Sequence, residues 1–356
     1  MAADVLTKRA LNRATLSRQF LLERANLPVE MVIDHLVGMQ AQNPFDPYYG
    51  LWARLDAFDP DYLAGKVMAG EVVRASFMRA TLHMLTTDDA LRVHPTTRGV
   101  LERVFRSTQF AKDLVGLDMD ELLELARASM EEAPRTRAEL ARALGERWPD
   151  RPPSSLAQAA TYLVPVLQVP PRGVWGRTGQ AVWSTFSSFT QEPYGPPLAV
   201  EDFALRYLGA FGPAAVKDMR VWSGLTGLRE VFEGLRPRLR TYRDESGVEL
   251  FDLPDLELPD PETPAPPRLL PEYDNVLLGH SDRSRFFDGD AQPKGWVGNV
   301  LVDGVFAGSW KVDGDCLHLH LTEHGMAEEA DVVGEARRLI DRTWPDDVHE
   351  ALVTPF

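Results

Sequence analysis

Apolar residues recur at helical spacing through "TLSRQFLLERA" (15–25) and "PVEMVIDHLVGMQ" (28–40), which predicts two helices, with Pro28 suited to the first turn of the second. "DPDYLAGKVMAGE" (59–71) predicts a third, short helix. Over "VVRASFMRATLHMLTT" (72–87) the helical stripe disappears. β-Branched and aromatic residues mix there with Arg and Thr, and the pattern predicts two short strands. Three helices followed by a β-hairpin outline a winged helix-turn-helix module.

The outline recurs. "DDALRVHPTTRGVLERVF", "MDELLELARASMEE" and "TRAELARALGER" read as helices, the last with Thr136 as N-cap. "PSSLAQAATYLVPVL" (153–167) sits as a recognition helix would, ahead of a Gly- and Pro-punctuated hairpin over 168–186. A third pass follows: "VEDFALRYLGAFG", then "GPAAVKDMRVWSGLTGLREVFEGL", then the strand-like "LRTYRDESGVELFDL". Pro213 is expected to start a helix there and Gly224 to end one. No period in the residues accompanies this repetition of architecture. From 253 a Pro-rich, acidic stretch reads as a linker or ordered loop. Beyond it lie the strand-like "YDNVLLGH", "GWVGNVLVDGVFAGSWKV" and "CLHLHL", with "VDG" at 302–304 and 312–314 as hairpin turns. A helix (326–343) and a last strand, "HEALVTP", close the chain. The predicted class is therefore α+β: tandem winged helix-turn-helix modules with a C-terminal small β-barrel-like domain. The expected boundaries are 1–88, 89–196, 197–252 and 253–356.

Length and composition narrow the options. At 356 residues the chain exceeds one ordinary core, and its 44% apolar and 26% charged residues are those of a soluble globular protein. No apolar run is long enough for a membrane span and the N-terminus lacks the apolar region of a secretory signal, so a cytoplasmic location is expected. The single Cys316 excludes an internal disulfide and a cysteine-built zinc site. The net charge of −15 argues against a generic polyanion binder, but charge is segregated along the chain. Acidic residues crowd into 113–132, 244–262 and 326–350, whereas arginines crowd at 74–106, 172–177 and 236–243, compatible with a bipolar surface. For any single arginine, solvation of a helix face is the simpler account.

Candidate chemistry centres on "GMQAQNPFDP" (38–47). Gln40 and Gln42 are two apart, so they share a face only if the segment is extended. Asn43 before Pro44 is biased away from helix, and fraying at about Gly38 to Gln40 would turn both amides to one side. Two converging carboxamides could hold a water molecule by its protons and aim its lone pair. Glutamine is a poor general base, so such a site suits only a leaving group that is already good. An N7-alkylated purine qualifies: its ring is cationic, its bond to C1′ is weakened, and it departs neutral without protonation. The alternative is that both amides simply cap a helix end.

"GMQAQNPFDPYYGLWARL" followed by "VVRASFMRATLHMLT" resembles the winged-helix DNA glycosylases of the AlkZ type. The resemblance continues through "VPPRGVWGRTG", "GPAAVKDMRVWSGL", "LLPEYDNVLLGHSDRSRF" and "VLVDGVFAGSW", nearly the whole chain and in the expected order. The family motif is Gln, an apolar residue, then Gln in one branch or Asp in another; here it stands as Gln40-Ala41-Gln42, with a small residue between. The resemblance implies excision of N7-alkylguanine, bulky adducts and interstrand crosslinks included, tandem winged helices with a C-terminal β-barrel, and no metal. It makes Gln40 and Gln42 the catalytic pair, with no cofactor. The expected partner is double-stranded DNA carrying alkylated purines, bound by a monomer.

The DNA-contacting candidates are Arg74, Arg79 and His83 of the first hairpin, Arg172, Gly173 and Trp175 of "PPRGVWG", and Arg283. Arg74 and Arg79 are expected on phosphates flanking the lesion, although either could be a plain surface arginine of a wing. His83 reads more simply as a structural histidine beside the site. Arg172 could enter a minor groove. Trp175 could pack on a sugar or wedge, or else anchor the hairpin to the core. Trp183 reads as such an anchor. Asp274, His280 and Asp282 meet no fixed metal-ligand spacing and read as loop-stabilising groups, with Arg283 and Arg285 as candidate phosphate contacts. Two rivals remain: a non-catalytic winged-helix regulator, and a helical scaffold that binds protein.

Overall fold

The structure, a computed structural model, describes residues 4–287, 298–344, 347–348 and 350–355. Both predicted hairpins lie in one antiparallel sheet. Its strand order is Met39–Gln40, Leu82–Thr86, Val72–Ser76, Val166–Gln168, Val182–Thr185 and Arg135–Thr136. The two halves join where Arg74 faces Gln168 and Ala75 faces Leu167. A second, smaller sheet pairs Val5–Leu6 in parallel with Arg240–Asp244, which pairs with Glu249–Asp252.

Local chemistry accounts for most helices. Thr136 caps Arg137–Arg147 in a reciprocal capping box with Glu139, as its spacing predicts. Asp59 caps Pro60–Ala69, which ends at Gly70 in the left-handed conformation. Gly224 likewise ends Val216–Ser223. Three expectations shift. The first helix runs Lys8–Arg18, capped by Thr7, rather than over 15–25. The second ends at His35, short of 40. The third-pass helix starts at Val216, because the backbone is extended at Gly212 and again at Ala215, the residue before the helix. The stretch after the pair, biased away from helix at Asn43 by Pro44, leads straight into a helix at Asp46–Arg54; Pro47 sits in its first turn, where no N–H is needed.

The C-terminal part carries a five-stranded sheet: Arg268–Leu270, Gly298–Val302, Val305–Asp313, Cys316–Leu321 and Glu350–Pro355. Its last pair is parallel and the rest antiparallel. Among the described residues the first and last strands do not pair, so the sheet is open and the expected barrel does not close. The residues 295–297 and 349 of the expected strands lie outside the described residues. "YDNVLLGH", expected as a strand, holds the short helix Asn275–Leu278, because Asp274 accepts the Val276 N–H and caps it. The acidic, Pro-rich stretch is an ordered connection, tied to the first helix where Arg13 donates to the Thr263 carbonyl at 2.7 Å.

Three large apolar cores result, with a small fourth of Leu6, Leu11, Tyr242 and Leu250 under the second sheet. One fuses Val32, Ile33, Leu51 and Tyr48 with Leu269, Val300, Trp310 and Leu319 of the C-terminal sheet. A second packs Phe77 and Leu85 against Phe203, Tyr207, Phe211 and Trp222. A third holds the helices and strand of 105–183. Val37 belongs to the second core and Met39 and Ala41 to the first, so the glutamine segment runs along their seam.

A fully buried ion pair locks that seam: Arg54 Nη2–Asp274 Oδ1 at 2.7 Å and Nη1–Oδ2 at 2.8 Å. Removing one partner of such a pair strands a charge. Arg54→Met is expected to lower the unfolding free energy by about 3–5 kcal/mol, and Arg54→Met with Asp274→Asn to recover part of the loss. Chemical denaturation of both variants checks this; a single-variant loss under about 1 kcal/mol, the scale of an exposed pair, would contradict it.

Candidate active site

After His35 the chain reverses through Val37 and Gly38, both left-handed (φ 56° and 87°). A Cβ at Gly38 would stand 2.5 Å from Leu85 Cδ1, so the reversal requires glycine. The chain then enters the sheet with Met39 opposite Met84 and Gln40 opposite His83. Ala41 N–H donates to the Leu82 carbonyl at 2.7 Å, so the extended run continues past Gln40. Gln40 closes the strand Met39–Gln40, Ala41 is buried, and Gln42 stands in the bend that follows. A strand, and not a frayed helix end, carries Gln40.

The two differ in exposure. Gln40 is 6% exposed, and its Oε1 accepts from Arg79 Nη2. Gln42 is open to solvent, and its Oε1 accepts the Leu82 N–H at 3.5 Å. A carboxamide oxygen has two lone pairs, so each keeps one unengaged by these partners. The Gln40 N–H donates to Asn275 Oδ1 at 3.4 Å, and Asn275 Nδ2 donates to the Gly38 carbonyl at 2.7 Å. The C-terminal part thereby grips the segment's backbone from behind.

Arg74, expected on a phosphate, is instead buried under the pair. Its Nε donates to the Ala41 carbonyl at 2.8 Å, Nη2 to the Gln42 carbonyl at 3.4 Å, and Nη1 to Gln168 Oε1. Burial, with the repulsion of Arg172, pushes its pKa down to about 9 against the opposing pull of Asp46, and it stays charged at neutral pH. Arg79 is half-buried and also engaged, reaching both Gln40 and the Trp222 carbonyl. Its backbone and that of Ala80 are left-handed (φ 56° and 58°), a conformation that costs non-glycine residues about 1 kcal/mol or more each and turns Arg79 back toward the pair. His83 is buried beside them. Burial and Arg79 push it down to about 3, so the ring is neutral; Nδ1 lies 2.9 Å from the Thr81 carbonyl, and Nε2 is a buried acceptor without a partner.

The second hairpin docks against this assembly. Gly173, in the left-handed conformation (φ 88°), offers its carbonyl to the Tyr48 hydroxyl at 2.8 Å. Trp175 is an anchor and not a free wedge: its ring lies 5.0 Å from Tyr48, 5.3 Å from Phe45 and 5.7 Å from Tyr49. Arg172 is partly exposed and donates to the Gly179 carbonyl at 3.0 Å. Trp183 is buried with Arg137 stacked over it at 5.1 Å. Arg283 is exposed, makes no ion pair among the described residues, and stands close enough to Arg79 to disfavour its charge. Arg285 is buried, donating to Thr15 Oγ1 at 3.0 Å, so it has no free face for a phosphate. His280, held to the Phe211 carbonyl at 2.8 Å, and Asp282, capping Ser284 N–H at 2.9 Å, are structural. Among the described residues no three His, Cys, Asp or Glu side chains are arranged to hold a metal ion. None of their helices is long and apolar enough to cross a membrane.

Sequence reasoning passed over Asn275, Gln168 and Asp46. Asn275 and Gln168 act on the pair only through tertiary contact. Asp46 had a local signal, lying four residues past Gln42. It is buried, and burial, Glu272 and Asp274 push its carboxyl up to about 8, opposed by the Tyr273 backbone N–H and by Arg74.

The family described as "DNA glycosylase AlkZ-like" matches residues 33–341. The fold is similar to the solved structure of Streptomyces sahachiroi DNA glycosylase AlkZ, with a TM-score of 0.74 at 19% identity, covering 99% of this chain and 100% of that one. At that identity the likeness is one of fold. No curated protein matches the chain by sequence.

A carboxyl whose folded pKa is raised keeps its proton where the unfolded chain has lost it. Its contribution is therefore complete below the ordinary value of 3.8 and is lost as pH rises toward 8. Asp46→Asn is accordingly expected to raise the melting temperature, by more at pH 8 than at pH 5. Calorimetry at the two pH values checks the sign, and an equal shift at both would count against the buried, protonated carboxyl.

Proposed function

The chain belongs to the AlkZ-like DNA glycosylase family, and from that membership we propose that it hydrolyses the N-glycosidic bond of cationic N7-alkylpurines in double-stranded DNA. The observation that supports the reading is that the two glutamines, two residues apart, each have an amide oxygen held by one protein donor, Arg79 for Gln40 and the Leu82 N–H for Gln42, and left with one lone pair.

In this reading the two oxygens accept the protons of one water molecule and turn its lone pair toward C1′. Arg79 orients the Gln40 amide, and Arg74 orients the peptide planes on either side of Gln42. No side chain takes the water's proton during bond breaking; the base leaves neutral with the C1′–N bond electrons, water then bonds to C1′ of the oxocarbenium-like sugar, and its proton is released to solvent. That order works only for a ring already cationic. His83, held neutral, cannot supply a proton to a neutral base. The product is an abasic site, without strand cleavage by a lysine nucleophile. Arg172 and Arg283, the accessible cations near the pair, are assigned to flanking phosphates, and Arg74 to positioning. The chain is read as three winged-helix modules (1–88, 89–196, 197–252) and a C-terminal unit (253–356), acting as a monomer without cofactor. Bulky adducts and crosslinks are admitted where the lesion meets the open Gln42 side.

A duplex with one N7-methylguanine, followed by alkali to reveal abasic sites, tests the reading. Gln40→Ala and Gln42→Ala are each expected to slow excision on the order of 10²-fold, the scale of a misplaced reacting group. Gln42→Ala should leave DNA affinity unchanged. Wild-type excision of uracil or hypoxanthine at a comparable rate would contradict the mechanism, and full activity of both alanine variants would leave only a DNA-binding protein.

Arg283→Ala is expected to weaken binding to damaged and undamaged duplexes alike and to flatten the salt dependence of binding by about one phosphate contact. Titrations at several salt concentrations measure that slope; an unchanged slope removes Arg283 from the interface.

A further inference from the structure

Asn43, immediately after the pair, opens onto a cavity of about 200 Å³. The first turn of the helix Asp46–Arg54 contributes Asp46 and Tyr49 to its wall, the connection after Arg268–Leu270 contributes Glu272, and the C-terminal sheet contributes Trp310 and Lys311. Asp46 is 2% exposed, and its Oδ2 has no hydrogen-bond partner. A buried carboxyl oxygen without a donor is costly. Lys311 does not supply one, since its Nζ turns to Asp313 at 3.6 Å. Glu272 beside Asp46 adds acid to acid, and burial raises its carboxyl too. Tyr49 and Trp310 meet edge to face, 5.3 Å between centroids.

We propose that this cavity receives the alkylated base itself, as a planar heteroaromatic cation whose ring N–H groups donate to Asp46 and Glu272. The inference rests on the glycosylase reading and names its recognition element. Size limits the guest: the volume is below the roughly 300 Å³ at which pockets for drug-sized ligands begin, so one ring system enters and a nucleotide does not. Chemistry limits it further. Two acids and two aromatic rings favour a flat cation over a neutral base, and the protonated Watson–Crick edge of guanine carries the donors that the unpartnered oxygen lacks. The stability that Asp46 costs is then the cost of selecting a charged lesion. Acid oxygens that accept from the base hold its charge in the ground state, so the site acts on lesion affinity and does not speed bond breaking.

The test uses a duplex whose N7-methyldeoxyguanosine is 2′-fluorinated, so that it binds without being cleaved, against the same duplex with unmethylated 2′-fluorodeoxyguanosine. Wild type is expected to prefer the methylated duplex. Asp46→Asn with Glu272→Gln is expected to lose on the order of tenfold of that preference, with unmodified affinity for the unmethylated duplex and an undiminished single-turnover rate on cleavable N7-methylguanine. Glu272→Gln alone, at the more accessible position, should lose part of it. Thermal melting of each variant reports folding. Variants that keep the wild-type preference overturn the cavity's role while wild-type excision leaves the glycosylase reading intact. A wild type without preference also overturns it. A wild type that prefers the methylated duplex but never excises removes the glycosylase reading and leaves the cavity as a cation-recognition site.

Discussion

One buried guanidinium sets the geometry on which the site depends. Arg74 stands on the central strand of the six-stranded sheet, at the register position where the two hairpins meet, and spends its donors on the carbonyls of Ala41 and Gln42 and on the side chain of Gln168. Carbonyls drawn to one side of an extended run fix its peptide planes, and fixed peptide planes fix which way the flanking side chains point. Because Gln168 belongs to the second hairpin, the orientation of the glutamine pair is tied to the docking of two modules. The cost of burying that charge is met by oxygens that would otherwise lack partners on the seam between two cores.

The remaining contacts brace the same ten residues from other directions. Asn275 grips the backbone at Gly38 and Gln40, while Asp274, its neighbour, closes on Arg54 at the end of the helix that follows the pair. Arg79, bent back through a left-handed turn, steadies the buried amide. The Gly173 carbonyl accepts from the Tyr48 hydroxyl and ties the second hairpin to the helix after the pair. Neutral amides need this scaffolding more than an ionised group would. A carboxylate would be drawn to the surrounding arginines by charge, whereas a carboxamide is held only by directed hydrogen bonds and by shape.

Charge is distributed to match. A net charge of −15 belongs to the chain as a whole, yet the immediate neighbourhood of the pair holds Arg74, Arg79, Arg172 and Arg283. Asp46 and Glu272 lie on the side toward the C-terminal sheet. Elsewhere arginines are consumed within the protein: Arg98 and Arg106 on Glu102, Arg236 on Glu233 and Glu249, Arg18 on Asp252. The arginine density of 74–106 and 236–243 is thus mostly helix-face solvation and internal pairing. The cations left accessible near the pair are few, which suits a protein that must engage a polyanion at one place.

Much of the architecture was legible along the chain, because its signals are local. The loss of the helical stripe and the β-branched and aromatic residues of 72–87 located both strands of the first hairpin, Thr136 with Glu139 marked a helix start, and "VDG" marked turns. The failures were local signals outweighed by distant partners. "YDNVLLGH" has a strand's composition but bends into a helix where Asp274 caps it and Arg54 holds it. Residues 46–54 carry turn residues but coil because Tyr48 and Leu51 bury in a core shared with the C-terminal sheet. The sequence by itself determined which residues could form strands, caps and turns, since these depend on neighbours a few positions away. Only the tertiary structure decided that Arg74 lies beneath the pair and not on a phosphate, that Trp175 is an anchor, and that Asp46 lines a cavity. Those outcomes turn on burial and on hydrogen-bond partners brought together from far apart in the chain.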